Sequence, residues 1–102
     1  MIIRQLVQLD RADIGFFTLI PEETRLVLNT LCIVPEQQCQ GIGSEIMNRL
    51  IESARSLALP MTLHVLKANV RARKFYENLG FVLVGESAHH HQFRHVQRRS
   101  AA

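Results

Sequence analysis

The chain has no tryptophan, one tyrosine and two cysteines, and each shortage excludes something. Cys32 and Cys39 stand apart, with no CxxC and no paired histidine motif beside them. Neither a disulfide framework nor a structural zinc site is predicted, and a reducing compartment fits. No apolar run approaches the roughly 18 residues that a membrane span needs. Residues 1–10 lack the basic-then-apolar layout of a secretory signal, so cytoplasm is the expected location. Aromatic residues are few and never interleave with basic ones, which argues against nucleic acid as a partner. Repeats, linkers and low-complexity segments are absent too.

What is present is ordinary globular material. At 102 residues, 47% of them hydrophobic and 21% charged, the chain reads as one domain spanning 1–102 with a single core. The net charge of +3 is unevenly spread. Arg94, Arg98 and Arg99 gather near the C-terminus, and Arg71, Arg73 and Lys74 crowd one short segment. A solvated tail plus a positive field for a phosphorylated small ligand is one account. A basic adaptor for nucleic acid is the other, and steep salt dependence is its signature.

The hydrophobic pattern gives the order βββ-α-β-α-ββ. Three strand-like runs at 2–9, 14–20 and 25–34 are separated by Asp10-Arg11-Ala12-Asp13 and Pro21-Glu22-Glu23, and the third closes at Pro35. Such short gaps predict an antiparallel meander. Apolar residues then recur at three- and four-residue steps: Ile42, Ile46, Met47, Leu50, Ile51, Ala54, Leu57 and Ala58. This predicts an amphipathic helix of about four turns, ended before Pro60. Residues 61–66 alternate, with Met61, Leu63 and Val65 on one face and Thr62, His64 and Leu66 on the other. Asn69 can cap a second helix whose stripe is Ala72, Phe75, Tyr76 and Leu79, and Gly80 suits its left-handed stop. Two last strands are expected at 81–85 and 91–97.

Between the third strand and the first helix lies Gln38-Cys39-Gln40-Gly41-Ile42-Gly43-Ser44. A strand, a tight turn with two glycines and a helix N-terminus together can hold phosphate. The glycines allow close backbone approach, N–H groups converge, and the helix dipole adds about half a positive charge. A plain sharp turn is the competing account. The dinucleotide fingerprint is excluded, because the third glycine and the later acid are missing, and so is a Walker loop, because Gly-Lys-Ser/Thr is missing.

Val34-Pro35-Glu36, then Gln38-x-x-Gly41-x-Gly43, then an amphipathic helix, then Asn69-x-x-Ala72-x-x-Phe75-Tyr76-x-x-x-Gly80-Phe81 resemble the GNAT superfamily of N-acetyltransferases. The resemblance runs from about Arg4 to Val96, nearly the whole chain. It implies an α/β fold with a mixed sheet, split like a V between the fourth and fifth strands of the family, and acyl-CoA in that split. It further implies that the backbone of Cys32, Ile33 and Val34 meets the acetyl and pantetheine amides. Gln38, Cys39, Gln40, Gly41, Ile42, Gly43 and Ser44 would hold the pyrophosphate. Asn69 would touch the pantetheine arm, serve as a plain N-cap, or do both.

Acyl transfer from a thioester to an amine needs the amine deprotonated, an oxyanion stabilised and a thiolate protonated. Tyr76 occupies the family's general-acid position, although it also belongs to the apolar stripe of its helix. His64 stands where several relatives that acetylate protein amino termini carry a glutamate. Either its imidazole is the base, water does that work, or the histidine is structural. His89, His90, His91 and His95 have no companion cysteine or carboxylate at ligand spacing, so no metal is expected and a solvated or acceptor-lining strand is. Cys32 is expected to be buried filler and Cys39 to be exposed.

The resemblance therefore implies an acetyl-CoA-dependent N-acetyltransferase working by direct attack in a ternary complex. A non-catalytic acyl-CoA sensor or interaction module is the alternative. The acceptor amine, protein, peptide or small molecule, is not named by the sequence. In the family, a first strand and two helices precede the segment that starts here at Ile2. Their counterpart is missing from this sequence, which suggests an open acceptor groove, an exposed first-strand edge and a homodimer covering it.

Overall fold

A computed structural model of the chain describes residues 1–95. The elements are β1 (Ile3–Leu9), β2 (Ala12–Pro21), β3 (Leu26–Ile33), a short 3₁₀ turn (Pro35–Gln37), α1 (Ile42–Ser56), β4 (Met61–Leu66), α2 (Val70–Asn78), β5 (Val82–Glu86) and β6 (His90–His95). The order is the one the sequence predicts, with strand ends moved by one or two residues. The expected last strand reached to residue 97, and its final two positions lie outside the described residues.

The six strands form one mixed sheet in the order β1-β2-β3-β4-β6-β5. β1, β2 and β3 are an antiparallel meander. The β3–α1–β4 crossover makes β3 and β4 parallel, and β4–β6 and β6–β5 are antiparallel again. The parallel junction is short. It runs through Leu26↔Met61, Val27↔Thr62 and Leu28↔Leu63 and then stops, although both strands continue. Its end has a local cause. The β2–β3 register passes from Thr18↔Thr30 to Leu19↔Leu28, leaving Asn29 as an extra residue. A bulge of this kind bends its strand and increases its twist. β3 therefore veers from β4 immediately after Leu28, and the sheet opens into the expected V.

Both helices pack on one face of the sheet. Met47, Leu50 and Ala54 of α1 share a buried cluster with Leu19, Leu26, Leu28, Met61, Leu63, Val65, Phe81 and Phe93. Ala72, Phe75, Tyr76 and Leu79, on and just after α2, pack against the same cluster. The other face carries the alternate strand positions, including Leu6, Phe16, Cys32, His64 and Leu66, and no described helix lies on it. That explains a correction: Cys32 is exposed rather than buried filler. Two-residue alternation turns it away from Leu31 and Ile33 toward the uncovered face.

The two helices end alike. Gly80, at φ 98°, follows α2, with Gly80 N–H donating to the Glu77 carbonyl (3.0 Å) and Phe81 N–H to that of Tyr76 (3.1 Å). After α1, Ala58 N–H donates to the Arg55 carbonyl (3.0 Å) and Leu59 N–H to that of Ala54 (3.0 Å). Both are Schellman closures, but the left-handed position of α1 is filled by Ala58 at φ 56°. An L side chain costs about 1–2 kcal/mol there. Ala58→Gly is therefore expected to stabilise the fold by about 1 kcal/mol, after the added unfolded-state entropy of glycine is offset. Chemical denaturation checks it, and a loss of stability would contradict the strain.

Candidate active site

The turn after β3 is held open by its own side chains. Gln38 Nε2 donates to the Ile33 carbonyl at 2.8 Å, and Gln40 Nε2 to the Glu36 carbonyl at 3.1 Å. Cys39 (φ 63°) and Gly41 (φ 80°) are both left-handed. A Cβ built on Gly41 would meet nothing within 4 Å, so this glycine answers a backbone conformation and faces open space. Gly41 is also the N-cap of α1, and among the described residues no side chain caps the helix there. The first-turn N–H groups thus remain free to receive an anion, with the helix dipole behind them.

α2 supplies the opposite wall. Asn69 Oδ1 accepts from Ala72 N–H at 3.0 Å, the N-cap the sequence suggests, and the same residue lines the cleft. Gly43 lets α1 approach α2: a Cβ there would stand 3.3 Å from the Phe75 ring. Arg71, on the first turn of α2, donates to the Cys39 sulfur and so brings a guanidinium to the rim of the glycine turn. Between these walls is a cleft of about 620 Å³.

Of the residues singled out in the sequence, Ile33, Gln38, Cys39, Gly41, Gly43, Ser44, Asn69 and Tyr76 converge on this cleft. Cys32, Val34, Gln40 and Ile42 do not line it. Val34 N–H is committed to the Ile14 carbonyl at 2.7 Å, so that amide is not available to a ligand. Ladder alternation directs the Ile33 amide the other way, toward the split. Arg71 is a cleft residue that the motif pattern does not single out. The basic run it shares with Arg73 and Lys74 is visible in the sequence, but neither of those two lines the cleft. Arg73 instead pairs with Glu77 at 3.4 Å on its own helix.

Tyr76 sits deep in the α2 wall, its ring 5.0 Å from that of Phe75 and 5.6 Å from that of Phe81. Burial pushes its phenol up from 10.0 to about 12. His64 is elsewhere. It is the first β4 residue beyond the last β3 pair and projects from the helix-free face. There it lines a second hollow of about 420 Å³ with Glu86, Ser87, His90 and Gln92. Tyr76 and His64 thus approach the split from opposite faces of the sheet.

The other histidines divide. His90 lines that second hollow, its ring 6.4 Å from the His64 ring. His91 and His95 turn to the helix side instead, His95 packing on Phe81 at 5.2 Å. The expectation of a solvated or acceptor-lining strand is thus corrected for His91 and His95. Among the described residues, no three His, Cys, Asp or Glu side chains converge as metal ligands. No described helix is long and apolar enough to cross a membrane.

Comparison with known proteins fits this geometry. The fold resembles that of the PaiA N-acetyltransferase of Thermoplasma acidophilum, solved in complex with coenzyme A. The TM-score is 0.87 at 20% identity, over 94% of this chain and 61% of that one. Naa50 of Arabidopsis thaliana, solved with the bisubstrate analogue CoA-Ac-MVNAL, gives 0.81 at 21% identity, over 92% and 72%. In sequence, the chain is 35% identical over 78 residues to the 5-NmdU N-acetyltransferase of Pseudomonas phage PaMx11. That match covers 74% of this chain, which spans about half (54%) of the relative's length. Residues 6–81 match the profile of the acetyltransferase (GNAT) family, and the chain belongs to that family.

Proposed function

We propose that this chain is an acetyl-CoA-dependent N-acetyltransferase that passes the acetyl group directly to an amine in a ternary complex. The observation that carries the reading is the uncapped N-terminus of α1, opening behind Gly41 into a cleft that ends at the V-shaped split. The cleft residues suit coenzyme A: free first-turn amides and Arg71 for the pyrophosphate, Asn69 and Ile33 for the amide-bearing arm, and Phe75 and Leu31 for its apolar stretch. Acetyl-CoA supplies the activated thioester. The Ile33 N–H is aimed to stabilise the carbonyl oxygen as it becomes an oxyanion.

The proton traffic follows from the two faces. As the C–N bond forms and the C–S bond breaks, His64, or water held beside it, takes the proton that the amine sheds. Tyr76 faces the departing sulfur. At about 12 its phenol lies well above a thiol's ordinary value of about 8.5, so full proton transfer to the thiolate is uphill. Tyr76 therefore acts chiefly as a hydrogen-bond donor, and the sulfur takes its proton from solvent as the product leaves. A sensor lacking catalysis would not need an O–H in that position.

The chain is proposed to work in the cytoplasm, where Cys32 and Cys39 stay reduced. We also propose a homodimer through β1. Among the described residues that strand pairs only with β2, and it leaves Ile3, Leu6 and Leu9 at 39%, 52% and 41% exposure. Sedimentation at micromolar concentration should show two copies, and a strict monomer would contradict the pairing.

Acetyl-CoA should bind in calorimetry and raise the melting temperature, and Gly41→Glu should abolish both by placing charge and bulk where phosphate approaches. Tyr76→Phe should lower kcat by about 10²-fold with acetyl-CoA affinity nearly unchanged. His64→Ala should lower kcat with acetyl-CoA affinity nearly unchanged. Because Tyr76 is the only tyrosine, phenolate absorbance reads it alone, and its midpoint should lie near 12 in the folded protein. The sign follows: a raised phenol stabilises the fold fully below pH 10.0, and this is lost as pH climbs through about 12. Tyr76→Phe should abolish that alkaline loss.

A further inference from the structure

We propose that the acceptor amine is received on the helix-free face at the fork of the split, between Asn29 and His64, and that this fork selects a weakly basic primary amine, such as a peptide α-amine, over a lysine-type ε-ammonium. The inference rests on the acetyltransferase reading and names the acceptor class for it.

The placement comes from the register. Leu28↔Leu63 is the last rung of the parallel pair, so Asn29 and His64 are the first residues on either side of the opening. Both project from the helix-free face. Asn29 Nδ2 donates to Thr18 Oγ1 at 3.3 Å and to Thr30 Oγ1 at 3.4 Å. Thr18 lies on that face, because its neighbour Leu19 belongs to the core cluster on the other. The two donated bonds fix the amide plane and leave Oδ1 without an intramolecular donor among the described residues. A primary amine in the fork can give one N–H to Asn29 Oδ1 and direct its lone pair through the gap, with His64 beside it.

The selection comes from the charges around that gap. Asn29 is neutral. The carboxylate sharing the second hollow with His64 is Glu86, and it is already engaged, 3.3 Å from Lys67 Nζ and 3.8 Å from His91 Nδ1. On the same face, Arg94 lies two residues beyond Gln92, the partner of His64, and Arg4 lies opposite Thr18. Arg4 stacks over the Phe16 ring at 4.5 Å. Neither arginine has a carboxylate partner among the described residues. Among the described residues the charges around the fork are thus neutral to positive, and a bound ammonium has no free counter-charge there. An α-amine, with a pKa of about 7.7–8.0, is neutral in about a tenth of its molecules at pH 7, whereas a lysine amine at about 10.4 is neutral in about one in 2,500. Without a carboxylate to bind the cation first, that difference passes directly into the rate.

Two probes separate the classes: alanyl-alanyl-alanine amide, with only an α-amine, and Nα-acetyl-lysine amide, with only an ε-amine. With wild-type protein and acetyl-CoA at pH 7, kcat/KM should favour the α-amine by about 10²-fold or more. Asn29→Asp keeps its two threonine partners, whose hydroxyls can donate to a carboxylate, and adds the missing counter-charge. It should raise ε-amine use at least about tenfold while the calorimetric acetyl-CoA affinity stays unchanged. Asn29→Ala should raise the α-amine KM without moving that affinity. The proposal is overturned if the ε-amine is used equally well or better, if neither probe is acetylated, or if Asn29→Asp leaves the ratio unmoved. Loss of acetyl-CoA binding by the wild type would bring down the acetyltransferase reading itself, whereas normal binding with failed selection brings down this assignment alone.

Discussion

One extra residue in β3 governs this molecule. Had Asn29 been paired, β3 and β4 would run parallel to their ends and the sheet would be closed. With Asn29 bulged, the ladder holds for three rungs and then parts. Everything proposed for the chemistry lies around that parting: the cleft on the helix side, the second hollow on the other, and the backbone amides freed along the β3 edge. The first rungs, Leu26 to Leu28 against Met61 to Leu63, are anchored by Leu26, Leu28, Met61 and Leu63, all buried in the core. The opening is therefore a fixed feature of the fold, since prying it further would expose those residues and closing it would require the bulge to be removed.

A second constraint is the helix that begins without a cap. In most helices a serine, threonine, asparagine or aspartate accepts from the first-turn amides. α2 follows that rule with Asn69, and α1 does not. The contrast within one small domain is informative. The uncapped helix opens on the cleft, where an anion can take the place of the cap, while the capped one lines the same cleft with its side chains. Surface ion pairs such as Arg49–Glu45, with both side chains largely exposed, add little by comparison.

The sheet also sorts the polar residues by face. α1 and α2 cover one side, and the alternation of each strand decides what reaches the cleft. Leu31 and Ile33 reach it, and Cys32 between them does not. The same rule sends His91 and His95 inward and His64 and His90 outward. Histidines close together in sequence therefore do different things in space.

The order of elements, both helix spans, the glycine turn, the Asn69 cap and the Gly80 stop were legible in the sequence. Each is a local matter: periodicity, a left-handed residue or a capping side chain acts over one or two turns. Motif spacing also sufficed to gather Gln38, Gly41, Gly43, Asn69 and Tyr76 into one site, because the two segments pack on a shared sheet. What remained hidden was decided by register. Which residue bulges, where the parallel ladder lapses, that Val34 N–H is taken by Ile14, that Cys32 is exposed and that Arg71 reaches across to Cys39 all depend on pairings between residues distant in sequence. A one-residue shift in any of those pairings would exchange the two faces of a strand, and the pairing itself is made only between strands brought together by the fold.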